Sequence, residues 1–112
     1  MSTRRASGVA RRAPTILEPM SKTTGIAKWV LTPYASRKLE YRAIGLDIVR
    51  RVVEAPDQRL PVRPGRDVFQ SKVLLGDPPR EYLVRVFVDV DRQTAEVVTV
   101  YRTSRIAKYW RA

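Results

Sequence analysis

Between Arg80 and Trp110 the chain alternates: Tyr82, Val84, Val86, Val88 and Val90 fall on one parity, and Leu83, Arg85, Phe87 and Asp89 on the other. A period of two is the signature of a half-buried strand. A second β-branched run, Ala95 to Tyr101, follows after only Asp91, Arg92, Gln93 and Thr94. That connection is too short for a parallel crossover, so the two runs form an antiparallel hairpin with a valine-rich face that needs a cover. A four-residue loop with Val90 opposite Ala95 places Tyr101 on that core face, whereas a slip of one residue places Arg102 there. Burying arginine is costly, which favours Tyr101, although Asp89 then faces Glu96.

The cover lies upstream. Ala27 to Leu31 (AKWVL) is a short strand candidate, and Thr32-Pro33 starts a helix, with Thr as N-cap and Pro at the first helical position. This helix should run from Pro33 to about Ala43, with Ala35, Leu39 and the stretch Arg42 to Ile44 along one course. Tyr34, Lys38, Tyr41 and Arg42 line a second, basic and aromatic face. Gly45 punctuates. Leu46 to Ala55 (LDIVRRVVEA) then sets Leu46, Ile48, Val49, Val52 and Val53 on an apolar stripe, with Asp47 in the first turn, until Pro56 stops it.

Asp57 to Asp67 (DQRLPVRPGRD) is broken by Pro and Gly and reads as a loop carrying Arg59, Arg63 and Arg66. Val68 to Leu75 is the next strand, ended by Gly76-Asp77-Pro78-Pro79. Strands over 68–75, 81–90 and 95–102 therefore form an antiparallel meander. After the Thr103-Ser104 cap, Arg105 to Trp110 makes a terminal helical turn in which Ile106 and Trp110 pack down while Arg105, Lys108 and Arg111 stay outside. The expected fold is α+β: two N-terminal helices packed on one face of a three- to four-stranded antiparallel sheet, with Val49, Val53, Val84, Val86 and Val88 in the core.

At 112 residues, 44% apolar and 29% charged, the chain has the balance of one globular domain. Residues 1–25 lack periodicity and read as a disordered basic tail, leaving 26–112 as the domain. The opening segment also looks like an Arg-rich transit peptide, like a nucleic-acid-binding arm, or like an untranslated leader ahead of a start at Met20. Net charge is +11; residues 1–19 hold four arginines against Glu18, a net +3, so +8 remains on residues 20–112. Such a charge attracts polyanions, pointing to RNA, DNA or an acidic protein. With no cysteine, no membrane-length apolar run and no secretory signal, a soluble cytoplasmic protein is expected.

The absence of histidine and cysteine excludes a Ser-His-Asp triad, a thiolate nucleophile, a His-pair ribonuclease and the common zinc sites. Ser71 and Lys72 cannot make a dyad, because adjacent strand residues point to opposite faces. Asp89 and Asp91 flank a turn, where carboxylates are ordinary solubilisers, so no metal or other cofactor is expected. What remains is cations and phenols. Lys38, Arg42, Arg85 and Tyr101 are the candidate catalytic residues, suited to stabilising charge on a phosphodiester and to moving a proton. Tyr34, Arg102, Arg105, Lys108 and Tyr109 are the candidate RNA-binding residues, adding stacking and phosphate contacts. Taken singly, each could also be a side chain that merely covers hydrophobic surface. Arg85 is the least easily read that way, since it interrupts an apolar strand in mid-sheet.

Tyr34-Ala35, Lys38-Leu39 and Arg42-Ala43-Ile44, followed by Asp47 to Asp57 and by VRVFVDVD and VVTVYRTSRIAKYWR, resemble an uncharacterised bacterial domain family grouped with the BrnT and RelE-like toxins. Its opening helix reads H-A-x-x-R-M-x-x-R-G-I. The likeness spans about residues 27–111 and rests on the order and spacing of these pieces. This chain carries Tyr34 where the family helix has histidine and Ala43 where it has glycine. The resemblance implies a RelE/BrnT-like fold and a toxin-type endoribonuclease acting on RNA, ribosome-associated RNA included, restrained by an acidic antitoxin. The alternative is a catalytically inactive basic module that binds nucleic acid or an acidic protein partner.

Overall fold

The computed structural model describes residues 24–112, and the readings made for residues 1–23 lie outside them. The described chain is α+β. In order it runs β1 (Trp29–Leu31), α1 (Pro33–Tyr41), α2 (Leu46–Glu54), β2 (Gln58–Arg63), β3 (Arg66–Leu75), β4 (Arg80–Asp89), β5 (Ala95–Thr103) and α3 (Ile106–Tyr109). The strands make one five-stranded sheet in the order β1-β5-β4-β3-β2.

The even-numbered valines of β4 define the inner face. Val84, Val86 and Val88 have no exposed surface, and they cluster with Phe69 and Val73 of β3 and Val97 and Val100 of β5. Ala35 and Leu39 of α1, Ile44, and Val49, Val52 and Val53 of α2 complete this cluster. Val49, Val53, Val84, Val86 and Val88 are thus core residues, as the pattern predicts, and burying a valine contributes about 1.5–3 kcal/mol. Leu46 departs from the expected stripe: it opens α2 and stays 48% exposed.

Thr32 caps α1 through Oγ1, which accepts from the Ala35 N–H at 3.1 Å. The helix ends at Tyr41, four residues before Gly45. Ala43 takes a left-handed φ of 53°, its N–H donates to the Glu40 carbonyl, and the Ile44 N–H reaches back to the Leu39 carbonyl. This pair of bonds is a Schellman ending, fastened by burial of Leu39 and Ile44 together. Gly45 instead serves as the N-cap of α2.

Three expectations need correction. The sheet has five strands and is mixed, because β1 runs parallel to β5 (Trp29 beside Ala95, Leu31 beside Val97). The segment read as a loop contains β2, which pairs with β3 from Gln58 beside Gln70 to Arg63 beside Arg66, with an irregularity at Pro61. Proline is compatible with this position because β2 is an edge strand that can leave one N–H unpaired. The β4–β5 register also differs. Asp89 faces Glu96 and Val88 faces Val97, but Phe87 faces Thr99, so Val98 is a bulge. Beyond it every pair shifts by one: Val84 faces Arg102, and Tyr101 faces Arg85 on the outer face.

At the start of the described residues the Thr24 carbonyl accepts a bond from Arg59 Nη1, and the Ile26 N–H donates to Val53 O. Among the described residues no helix is long and apolar enough to cross a membrane.

Candidate functional site

Arg85 alternates with Val84 and Val86, so it projects from the face opposite the valine core. Register places it between Gln70 of β3 and Tyr101 of β5, a row of three polar side chains across the centre of the sheet. Arg85 Nε donates to Gln70 Oε1 at 2.8 Å, and Nη1 donates to the Tyr101 hydroxyl at 2.8 Å. Its guanidinium carbon lies 4.3 Å from the centre of the Tyr109 ring, near enough for a cation–π contact.

The C-terminal segment delivers Tyr109 to this place. Gln70, fully buried, donates from Nε2 to the Tyr109 carbonyl at 3.1 Å and to Gln58 Oε1 at 2.7 Å. Gln58 in turn donates to the Arg111 carbonyl and accepts the Arg111 N–H at 3.2 Å. Two buried amides therefore hold the backbone of residues 109–111, and their own polar groups are paired in doing so. Lys72 Nζ, 4.1 Å from the Trp110 ring, adds a further hold on the same face.

Around this network stand cations without counter-charge. Among the described residues, ion pairs engage Arg50, Arg59, Arg66 and Arg92, and none engages Arg85, Lys108 or Arg111. These three share one cleft with Tyr109 and Phe87, and no carboxylate among the described residues lines it. The Tyr109 hydroxyl is held below the ordinary phenol range, chiefly by the Tyr101 hydroxyl and then by Lys108 and Arg85, against the opposing effect of burial. Cations and a more acidic phenol at one place can bind a phosphate and take a proton from a neighbouring hydroxyl.

The residues singled out in the sequence divide between the two sides of the sheet. Arg85, Tyr101, Lys108 and Tyr109 come together. Tyr34 and Lys38 lie on the outer surface of α1, with Lys38 Nζ 5.1 Å from the Tyr34 ring and 5.6 Å from that of Tyr41. Arg42 ties α1 to β5, donating from Nη1 to the Val100 carbonyl at 2.7 Å. Arg102 is on the inner face beyond the helices, its guanidinium 4.9 Å from the Tyr82 ring. Arg105 is exposed at the start of α3. Asp89 is paired with Arg66 at 2.6 and 3.2 Å, and the described residues contain no cluster of three acidic metal ligands.

Sequence reasoning missed Gln58, Gln70 and Arg111. Gln70 gave a signal, since VFQSKV places an uncharged polar residue in a strand where both neighbours are buried.

The fold and this cluster define an α+β protein with a cation–tyrosine site on the sheet face opposite its two longer helices. Set against family models, curated proteins and solved structures, the chain matches none.

Proposed function

We propose that the chain is a metal-independent endoribonuclease of the toxin type that binds and cleaves RNA at Arg85, Tyr101, Lys108 and Tyr109. One observation carries this reading: a half-buried arginine without a carboxylate partner among the described residues sits against a tyrosine whose hydroxyl is lowered in pKa. A lone cation in mid-sheet is costly unless an anion completes it, and a phosphodiester is that anion.

The chemistry follows from the chain's own groups. Tyr109, as phenolate, takes the proton of the RNA 2′-hydroxyl, and the 2′-oxygen attacks the adjacent phosphorus. Arg85 carries the charge that develops on the phosphoryl oxygens. The P–O5′ bond breaks, Lys108 gives the leaving oxygen a proton, and the products are a 2′,3′-cyclic phosphate and a 5′-hydroxyl. Tyr101 orients Arg85 and keeps the Tyr109 hydroxyl acidic. The roles given at the outset to Lys38, Tyr34 and Arg42 are not used, because these residues belong to α1 and its junction with β5.

The resemblance to BrnT and RelE-like toxins supports the same reading and brings with it an acidic antitoxin, whose carboxylates would compete with RNA for these cations. A non-cleaving basic module that binds nucleic acid or an acidic protein is the second reading. It is favoured by the exposed Tyr34 and Tyr41 on α1, with the half-buried Lys38 between their rings, a cationic aromatic surface that cleavage does not use.

The test is incubation of wild type, Arg85→Ala and Tyr109→Phe with naked and with translated RNA. Wild type should leave 2′,3′-cyclic ends, and both variants should lose cleavage with the fold intact by circular dichroism. A folded wild type that cuts neither RNA would remove the enzyme and leave the binding module.

A further inference from the structure

The phosphate chemistry occupies only the cationic rim of its cleft. The rest is apolar: Leu60, Pro61 and Val62 of β2, Val68 of β3 and Phe87 of β4 line a hollow of about 280 Å³ shared with Arg85, Lys108, Tyr109 and Arg111. Nothing in phosphate binding calls for these five side chains, and Val62 leaves 46% of its surface in solvent on an edge strand. The hollow is completed by the C-terminal segment, because Gln58 and Gln70 hold residues 109–111 beside β2.

The geometry points to a nucleobase subsite: the apolar part of the cleft receives one unpaired base of the RNA while the Arg85, Lys108 and Arg111 rim holds the attached phosphate. This rests on the RNA reading of the site and adds the unit that is recognised, a single-stranded nucleotide. Charge complementarity selects the occupant. Among the described residues the rim offers three cations and the lining no carboxylate, so an anion is required at one end, and the hydrocarbon and aromatic walls require a flat, weakly polar body at the other. A nucleotide joins these two parts in one residue of polymer. Stacking on an aromatic ring is open to every base, and among the described residues neither an amide nor a carboxylate side chain lines the hollow to read a base edge. The subsite therefore accepts all four bases with little preference.

The experiment uses the full chain and uncleavable ligands: inorganic phosphate, ribose 5-phosphate and the four nucleoside 5′-monophosphates, titrated at low salt and followed by NMR. Each monophosphate should bind on the order of tenfold more tightly than ribose 5-phosphate, the increment expected for one stacked base. Phe87→Leu, which keeps an apolar side chain there, and Val62→Glu, on the exposed rim, should each erase that increment. Ribose 5-phosphate should still bind Phe87→Leu as it binds wild type, and Arg85→Ala should weaken every ligand. Equal binding of ribose 5-phosphate and the monophosphates would overturn the base subsite and leave the phosphate site standing. No binding of any ligand would overturn both. A protein that shows the base increment but cleaves no RNA would retain this inference and lose the enzymatic one.

Discussion

Arg85 Nη1 stands 2.8 Å from the Tyr101 hydroxyl, and the two residues face each other because Val98 bulges out of the β4–β5 ladder. Without that extra residue Tyr101 would point into the valine core, where its hydroxyl would need another partner. The bulge is thus what carries a tyrosine to the outer face and next to Tyr109.

Tyr101→Phe should therefore do more than weaken the hold on Arg85. Tyr101 is the main cause of the lowered pKa of Tyr109. If Tyr109 acts as phenolate base, cleavage rises with pH as that group loses its proton, and removing Tyr101 moves the rise to higher pH. A pH–rate profile of wild type and variant measures this. An unmoved profile would take the base role from Tyr109.

Arg85→Ala and Arg42→Ala should separate chemistry from architecture. Losing a cation that stabilises the transition state costs on the order of 10² to 10³ in rate, so Arg85→Ala should fall by about that much. Arg42 bonds to the Val100 carbonyl, and its loss should cost about 1 kcal/mol of stability with cleavage changed only a few-fold. Rates and urea midpoints measured side by side would show whether the two effects divide in this way.

Ala43→Gly should stabilise the protein. Ala43 is exposed at φ 53°, a conformation that costs a residue bearing Cβ about 1–2 kcal/mol and glycine little. Part of that gain is offset by the greater freedom of glycine in the unfolded chain, leaving about 0.5–1 kcal/mol. Thermal unfolding should move up by a few degrees, and Ala43→Val should move it down.

How much of this was legible follows the range of each interaction. The central hairpin, both longer helices and the Thr32 cap are written in local periodicity, and Arg85 stood out because it broke an apolar strand. β2 was hidden because Pro61, Pro64 and Gly65 read as breakers, and its place on the sheet edge, which makes Pro61 tolerable, is a tertiary fact. The bulge at Val98 leaves no mark in a run of β-branched residues, so the register beyond it was misread. The grouping of Lys38 and Arg42 with Arg85 failed for a related reason: a helix face and a strand face each have a period, but neither period says which side of the sheet the helix covers. Gln58 and Gln70 came together through pairing of β2 with β3, and only then could they hold the C-terminal segment.

Acid should unfold the protein partly through Asp89. Its carboxylate is nearly buried and accepts bonds from Arg66 and more weakly from Arg92, which hold its pKa below the ordinary 3.8. A carboxylate with a lowered folded pKa contributes stability above its unfolded pKa and loses it as pH falls through the folded one. Asp89→Asn should therefore cost about 1–3 kcal/mol at neutral pH, the range for a charged hydrogen bond. The gap between variant and wild type should narrow as pH falls below the ordinary carboxylate range, where wild type also loses the charge. Urea unfolding at neutral and acid pH reads both values.

The salt dependence of RNA binding discriminates between the two surfaces that carry cations. Arg85, Lys108 and Arg111 line one cleft on the outer face, whereas Lys38 lies on α1, which packs against the inner face. Single-stranded RNA loses about 0.7 in the slope of log K against log salt for each phosphate neutralised, so a strand held by two or three of the cleft cations should give about −1.4 to −2.1. Lys108→Ala should reduce that slope by about 0.7 with the base increment intact, since Lys108 contributes charge and not stacking surface. Lys38→Ala should leave the slope unchanged if the strand stays on the outer face. A slope that falls with Lys38 and not with Lys108 would move the RNA to the α1 surface, and the cleft would then have no claim on it.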